Sequence, residues 1–156
     1  MADVLTPEQR QNCMSSVRRE NTSPEIILRS VLHKSGLRYR LHDKDLPGSP
    51  DMVFTRFRAV IFIHGCFWHS HGCYKSSIPK SRHSFWKNKF QTNRDRDERN
   101  IKLLHNQGWR VMVVWQCALN GKQAYSSDVV VSCIKDWLQS SESFSQIPEF
   151  VLTPSL

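Results

Sequence analysis

The ten residues His64-Gly65-Cys66-Phe67-Trp68-His69-Ser70-His71-Gly72-Cys73 hold three His, two Cys and two adjacent large aromatics. They follow directly on the apolar run Ala59-Val60-Ile61-Phe62-Ile63, whose length and β-branched content predict a buried strand. A buried strand that empties into such a loop puts reactive groups at the edge of a rigid sheet, an arrangement that suits catalysis. Cys and His at this density point to a metal. Phe67 and Trp68 then need an explanation of their own, because metal chemistry does not use them.

The other periodicities build an α/β frame around that strand. Thr6-Pro7-Glu8-Gln9 reads as an N-cap, a first-turn Pro and a capping-box Gln, opening a helix over about residues 7–19. Asn21-Thr22-Ser23-Pro24-Glu25 repeats the signal with Ser23 as cap, and Ile27, Leu28, Val31 and Leu32 follow at helical spacing up to Gly36. Leu37, Tyr39 and Leu41 alternate with basic residues, as on a half-exposed strand. Leu46-Pro47-Gly48-Ser49-Pro50 is a turn, residues 51–54 start a strand, and residues 55–58 turn it back into 59–63. From about Ser84 a basic helix places Trp86, Phe90, Asp97, Ile101 and Leu104 roughly on one stripe, and Gly108 ends it. Residues 109–115 are a strong strand signal with Cys117 just beyond, a last helix covers roughly 127–138, and the Ser-rich tail from about 140 to 156 is expected to be mobile. This order predicts one domain over residues 1–156, an α/β mixed central sheet flanked by helices on both sides.

Charge and cysteine usage narrow the function classes. The net charge is +8, and residues 75–102 carry nine Lys or Arg against three Asp or Glu, so the excess is clustered. Such a cluster favours a polyanion, nucleic acid before anionic membrane. No apolar run approaches the roughly 20 residues needed to cross a bilayer, and the first residues lack a signal-peptide core. A soluble, cytoplasmic protein is the expectation. Five cysteines without an export signal argue against a disulfide framework.

Tetrahedral zinc needs four converging soft or borderline ligands. Cys66 and Cys73 close a small loop, His69 and His71 lie between them, and Cys117 at a neighbouring strand end could join. That set makes a closed Cys₃His site, which is structural, with spacing leaving His69 and His71 equally eligible. Cys13 and Cys133 read as ordinary helix packing. Pro50-Asp51 matches the opening of a metal-dependent nuclease core, but the acid expected on the next strand is replaced by Ile63, followed by His64 and Gly65. Ile63 offers only its backbone carbonyl, so Asp51 is the single carboxylate ligand, with water completing the shell of a Mg²⁺. His64 and His69 then stand where proton transfer or phosphate contact is needed. The plain alternatives are a turn-ending Asp51 and a Glu25 that complements the helix dipole. Phe67, Trp68 and Trp86 either pack the loop or form a wedge that enters a base stack, with Met14 on the first helix as a wedge from the other side.

Together these residues resemble one family, the very short patch repair (Vsr) mismatch endonucleases. The likeness covers Met14, residues 22–25, Leu37-Arg38-Tyr39-Arg40, Leu46-Pro47-Gly48 with Pro50-Asp51, residues 60–62, His64 to His69 with His71 and Cys73, Arg94 to Arg99 in part, Gly108-Trp109-Arg110-Val111, and Trp115 with Cys117-Ala118-Leu119. The resemblance implies a restriction-endonuclease-like fold with a structural zinc. It also implies a Mg²⁺-dependent, strand-specific nick 5′ of the T in a T:G mismatch left by deaminated 5-methylcytosine, which starts very short patch repair. By position, Asp51 and the Ile63 carbonyl resemble the Mg²⁺ ligands, and His69 the water-activating group with His64 and Glu25 as its companions. Cys66, His71, Cys73 and Cys117 resemble the zinc ligands, and Phe67, Trp68, Trp86 and Met14 the intercalating side chains. The expected partner is double-stranded DNA with a T:G mismatch, bound by a monomer in the nucleoid that can also contact other mismatch-repair proteins. Two alternatives stand beside this one: a restriction-type or homing-type nuclease acting on intact duplex, and a non-catalytic zinc-stapled DNA-binding module.

Overall fold

A computed structural model describes residues 22–69, 71–74 and 76–148, together with Thr6 and Glu8. The first expected helix, with Met14 and Cys13, lies outside the described residues. In chain order the elements are α1 (Ser23–Lys34), β1 (Arg40–Leu41), β2 (Met52–Phe54), a 3₁₀ turn (Thr55–Phe57), β3 (Ala59–His64), α2 (His83–Asn106), β4 (Arg110–Trp115), α3 (Gln116–Leu119), α4 (Ser127–Gln139) and β5 (Phe144–Ile147). The strands form one mixed sheet in the order β1-β2-β3-β4-β5. The two pairs from β1 to β3 are antiparallel, and β3-β4 and β4-β5 are parallel.

β3 and β4 sit at the centre because both are apolar on both faces, the pattern a strand needs when helices cover it above and below. The two-residue alternation then divides the core. Ile61, Met112 and Val114, with Met52 and Phe54, face Leu28 and Leu32 of α1 and Val130, Ile134 and Trp137 of α4. Val60, Phe62, Val111 and Val113 face Leu104 of α2, with Ile101 packed alongside. The stripe that seats α2 is Trp86, Phe90, Asn93 and Leu104, while Lys87, Lys89, Arg94, Arg99 and Lys102 are exposed.

Arg110 locks the far side of the sheet. Its guanidinium donates to the carbonyl oxygens of Trp137 and Leu138 at 2.9 Å and of Phe57 at 3.2 Å, and lies 4.9 Å from the Trp137 ring centroid. A cation on the last carbonyls of α4 is favoured by charge as well as hydrogen bonding.

Four details differ from expectation. Helix α1 starts at Ser23 with Thr22 as its N-cap, one residue before the position read as the cap. The alternating stretch 37–41 yields only the two-residue β1, while Leu37 and Tyr39 pack onto the core. Cys133 is exposed on α4, not packed. Of the tail from about 140 to 156, Phe144–Ile147 form β5, because β4 offers a free edge and Val111 to Val114 pair with them, while residues 149–156 lie outside the described residues. A sheet edge recruits strands by backbone hydrogen bonds, which a serine-rich sequence makes as well as an apolar one.

Candidate active site and metal centre

Asp51 enters β2 from the 46–50 turn. Gly48 in that turn has φ +77°, and a Cβ there would lie 3.1 Å from the Phe62 ring and 3.0 Å from Asn100, so the turn packs against β3 and α2 only as glycine. Asp51 Oδ2 accepts the Ile63 N–H at 2.7 Å. Met52 pairs with Ile61, so the same register carried two residues further sets Pro50 opposite Ile63. Pro50 has no N–H to give to the Ile63 carbonyl. In an antiparallel ladder the N–H and C=O of one residue leave the strand on the same side, so that carbonyl faces the Asp51 side. Burial pushes the Asp51 carboxyl up to about 7. The Ile63 N–H and the charge of His42 pull it down, and the neighbouring Glu25 carboxylate pushes it up further.

Glu25 stands in the first turn of α1 and is only 2% exposed. It is therefore not the solvated dipole partner that a first-turn Glu usually is. Its Oε2 accepts the His42 Nε2–H at 2.9 Å, and Arg29 lies 3.7 Å away, one turn along the helix. Glu25, His42 and Asp51 each place a ligand atom within 4.8 Å of the others. His42 was not among the residues singled out from the sequence.

A second cluster lies on the α2 side of the sheet. His64 ends β3 and His69 follows in the loop, and their rings stack 3.9 Å apart with a 1° interplanar angle. Burial, then the neighbouring His69, lowers His64 to about 3, so its imidazole is neutral at physiological pH. His69 Nδ1 donates to Asp97 Oδ2. Burial raises the Asp97 carboxyl, but the hydrogen bond from His69 and the nearby Arg96 charge outweigh it and leave Asp97 below the usual range. With Nδ1–H engaged, His69 Nε2 is the nitrogen left to accept a proton. From the sequence, Asp97 falls on the helical stripe and within the partly matched stretch 94–99, with no catalytic role attached. A carboxylate on an otherwise apolar stripe is the signal that could have found it.

The third cluster joins Cys66, His71, Cys73 and Cys117, with one donor atom of each within 4.8 Å of the rest. It forms because β3 and β4 run parallel with His64 opposite Trp115, so the residues two beyond, Cys66 and Cys117, emerge side by side. The Cys117 N–H donates to Cys66 Sγ at 3.4 Å, and the His71 ring stacks on Trp115 at 3.9 Å. The bond with Cys117, and then burial, pushes the Cys66 thiol up to about 12, while Cys117 is held below the usual thiol value, chiefly by the same contact. Crowded thiols that share protons in this way are a donor set for a thiophilic cation. His71 Nδ1 and Cys117 Sγ are 3.6 Å apart. Zinc bonds of about 2.0–2.3 Å set tetrahedral ligand atoms roughly 3.6 Å apart, so the donors fit zinc.

The aromatics form one cluster between loop and helix. The Phe67 centroid lies 5.2 Å from Trp68, 5.5 Å from Trp86 and 5.2 Å from Phe90. Trp86 is 8% exposed, whereas Phe67 and Trp68 are half-buried. Asn93 ties the loop to α2 by donating to the Trp68 carbonyl at 2.8 Å. No described helix is long and apolar enough to cross a membrane.

The chain is similar to known proteins over this whole region. A family model described as DNA mismatch endonuclease Vsr matches residues 2–75. The Type II nicking enzyme V.XorIIP of Xanthomonas oryzae is 54% identical over 120 residues, 77% of this chain and 88% of that protein. The DNA mismatch endonuclease Vsr of Escherichia coli is 40% identical over 147 residues, 94% of each chain. The Type II nicking enzyme V.NmeAIP of Neisseria meningitidis is 42% identical over 122 residues, 78% of this chain and 87% of that protein.

Proposed function

The chain belongs to the Vsr family of DNA mismatch endonucleases, and from that premise we propose that it nicks one strand of duplex DNA 5′ of the T in a T:G mismatch. Such mismatches arise when 5-methylcytosine deaminates, and the nick starts very short patch repair. The observation that carries this reading is the meeting of Asp51 and Ile63 at the ends of β2 and β3 with the His64–His69–Asp97 cluster one step along β3.

A Mg²⁺ held by Asp51 and the Ile63 carbonyl supplies positive charge against the scissile phosphate when bound. His69 Nε2 accepts a proton from the attacking water, and Asp97 holds the imidazole in the tautomer that can do so. His64 stays neutral, supports the His69 ring by stacking and offers one hydrogen bond to a phosphate oxygen. Glu25 adds negative charge beside Asp51. The exposed basic side chains of α2 follow the phosphate backbone, which gives affinity but no sequence preference. Cys66, His71, Cys73 and Cys117 hold a structural zinc that stiffens the loop. Phe67, Trp68 and Trp86 probe the base step, with Met14, outside the described residues, as their counterpart; unstacking costs least at a mismatched pair.

The test is a comparison of T:G and fully paired duplexes of one sequence, with Mg²⁺ and with chelator. Nicking of the T strand of the mismatched duplex alone is expected. Equal cutting of both duplexes would make the enzyme a restriction-type nuclease, and binding without any scission would make it a DNA-binding module. Asp97→Asn is expected to slow nicking on the order of 10²-fold or more by letting the wrong His69 tautomer form. Its melting temperature should stay close to that of the parent. An unchanged nicking rate would remove Asp97 from the mechanism.

A further inference from the structure

His42 touches both acids of the Asp51 cluster, the buried Glu25 and the half-buried Asp51. Its backbone N–H donates to the Asp51 carbonyl at 3.2 Å, and its imidazole donates to the Glu25 carboxylate at 2.9 Å. Glu25 comes from α1 and Asp51 from the start of β2. His42 therefore bridges two elements, with its backbone anchored on one acid and its side chain on the other. It does this from a left-handed backbone, φ +47°, which a branchless residue would adopt at far lower cost. Its side chain is only 14% exposed, so the unfavourable turn directs the ring inward.

Two neighbouring carboxylates repel unless something between or behind them is positive. A carboxylate left to rotate beside another turns its lone pairs away or shares a proton. A donor on one oxygen fixes the carboxylate's orientation beside its neighbour, and Glu25 is itself in hydrogen-bond contact with Asp51. We propose that His42 is a positioning residue that holds Glu25 alongside Asp51, so that the two acids act together as one divalent-cation site. This rests on the reading that Asp51 holds the catalytic cation. Hydrogen-bond partners of metal ligands commonly contribute about 10–100-fold in metal affinity, and His42 stands in that relation to Glu25.

The experiment is a Mn²⁺ titration of the zinc-loaded full chain, followed by electron paramagnetic resonance and run beside nicking of a T:G duplex at varied Mn²⁺. His42→Gly removes the imidazole while suiting the left-handed backbone, so it should fold, and thermal unfolding checks that it does. It is expected to weaken Mn²⁺ binding about tenfold or more and to raise the half-saturating Mn²⁺ for nicking by the same factor. The rate at saturating Mn²⁺ should stay within about threefold, because His42 touches neither water nor phosphate in this scheme. His42→Gln, whose amide can still donate to Glu25, should bind Mn²⁺ nearly as the parent does. Unchanged Mn²⁺ affinity in His42→Gly overturns the proposal, as does a His42→Gln variant no better than His42→Gly, or a loss confined to the saturated rate. Asp51→Asn separates the two ideas. Loss of Mn²⁺ binding there with none in His42→Gly sinks only the role of His42, whereas Mn²⁺ binding retained in Asp51→Asn sinks the cation site and the role of His42 with it.

Discussion

Asp51→Asn is expected to nick a T:G duplex on the order of 10³-fold more slowly than the parent, or worse, and yet to melt at a higher temperature in cation-free buffer at pH 8. The two effects have one cause. Asp51 is a half-buried carboxylate beside the buried Glu25, and desolvation lifts it from an ordinary 3.8 to about 7. Ionising it in the folded protein therefore costs free energy that is not spent in the unfolded chain. The sign follows from that direction. Below about pH 4 the carboxyl is protonated in both states and carries no penalty; the penalty grows between about 4 and 7 and is complete above 7. A bound divalent cation removes it by neutralising the charge. Asparagine keeps the shape and still accepts the Ile63 N–H, but it never ionises, so it relieves roughly 1–3 kcal/mol at pH 8 and very little at pH 4. For a domain of this size that is a shift of several degrees. Melting curves of both proteins at the two pH values, with and without Mg²⁺, provide the check. A variant that nicks within tenfold of the parent would dismiss Asp51 as the cation ligand, and identical melting at pH 8 would dismiss the buried charge.

Loss of the Cys₃His cluster is expected to remove both stability and activity. The purified chain should contain about one zinc, and Cys117→Ser and Cys73→Ser should each lower the melting temperature by roughly 10 °C or more. Nicking should fall at least about 10²-fold, because the loop that the cluster ties down carries His69, Phe67 and Trp68 between the ligands. The physical reason is the position of the donors. Cys66 and Cys117 lie two residues past the paired ends of β3 and β4, so a metal there would staple the two central strands at the end where His64 and His69 emerge. Without it, buried thiols are left sharing protons in place of a cation. Cys133→Ser, which alters an exposed thiol on α4, should change neither quantity. A full-length folded chain that holds no metal and melts as high as the metal-loaded one would refute the cluster as a zinc site.

Much of the frame was legible because period and composition are local. The runs at 59–63 and 109–115 announce two buried strands, and β3 and β4 form there. Gly36 and Gly108 announce helix ends and adopt positive φ. The strand β5 was not legible, since Phe144-Ser145-Gln146-Ile147 carries little hydrophobic signal and owes its pairing to the open edge of β4. His42 was hidden for a related reason. It stands in a left-handed residue just after a two-residue strand, where no periodicity marks which way a side chain points.

Which chemistries were available follows from the residues alone. Donor identity is a property of residue type, so the crowding of Cys and His after an apolar strand, with Pro50-Asp51 upstream, already implied a metal-rich site at a sheet edge. What residue type and spacing alone left open, and only the family resemblance assigned, was how those donors are shared out. His69 and His71 are two residues apart and chemically identical in the chain. Only in the folded molecule does His71 slide under Trp115 into the thiol cluster while His69 turns to Asp97 on α2. That division depends on the register of parallel strands and on a helix crossing the sheet, both long-range contacts that local sequence does not encode.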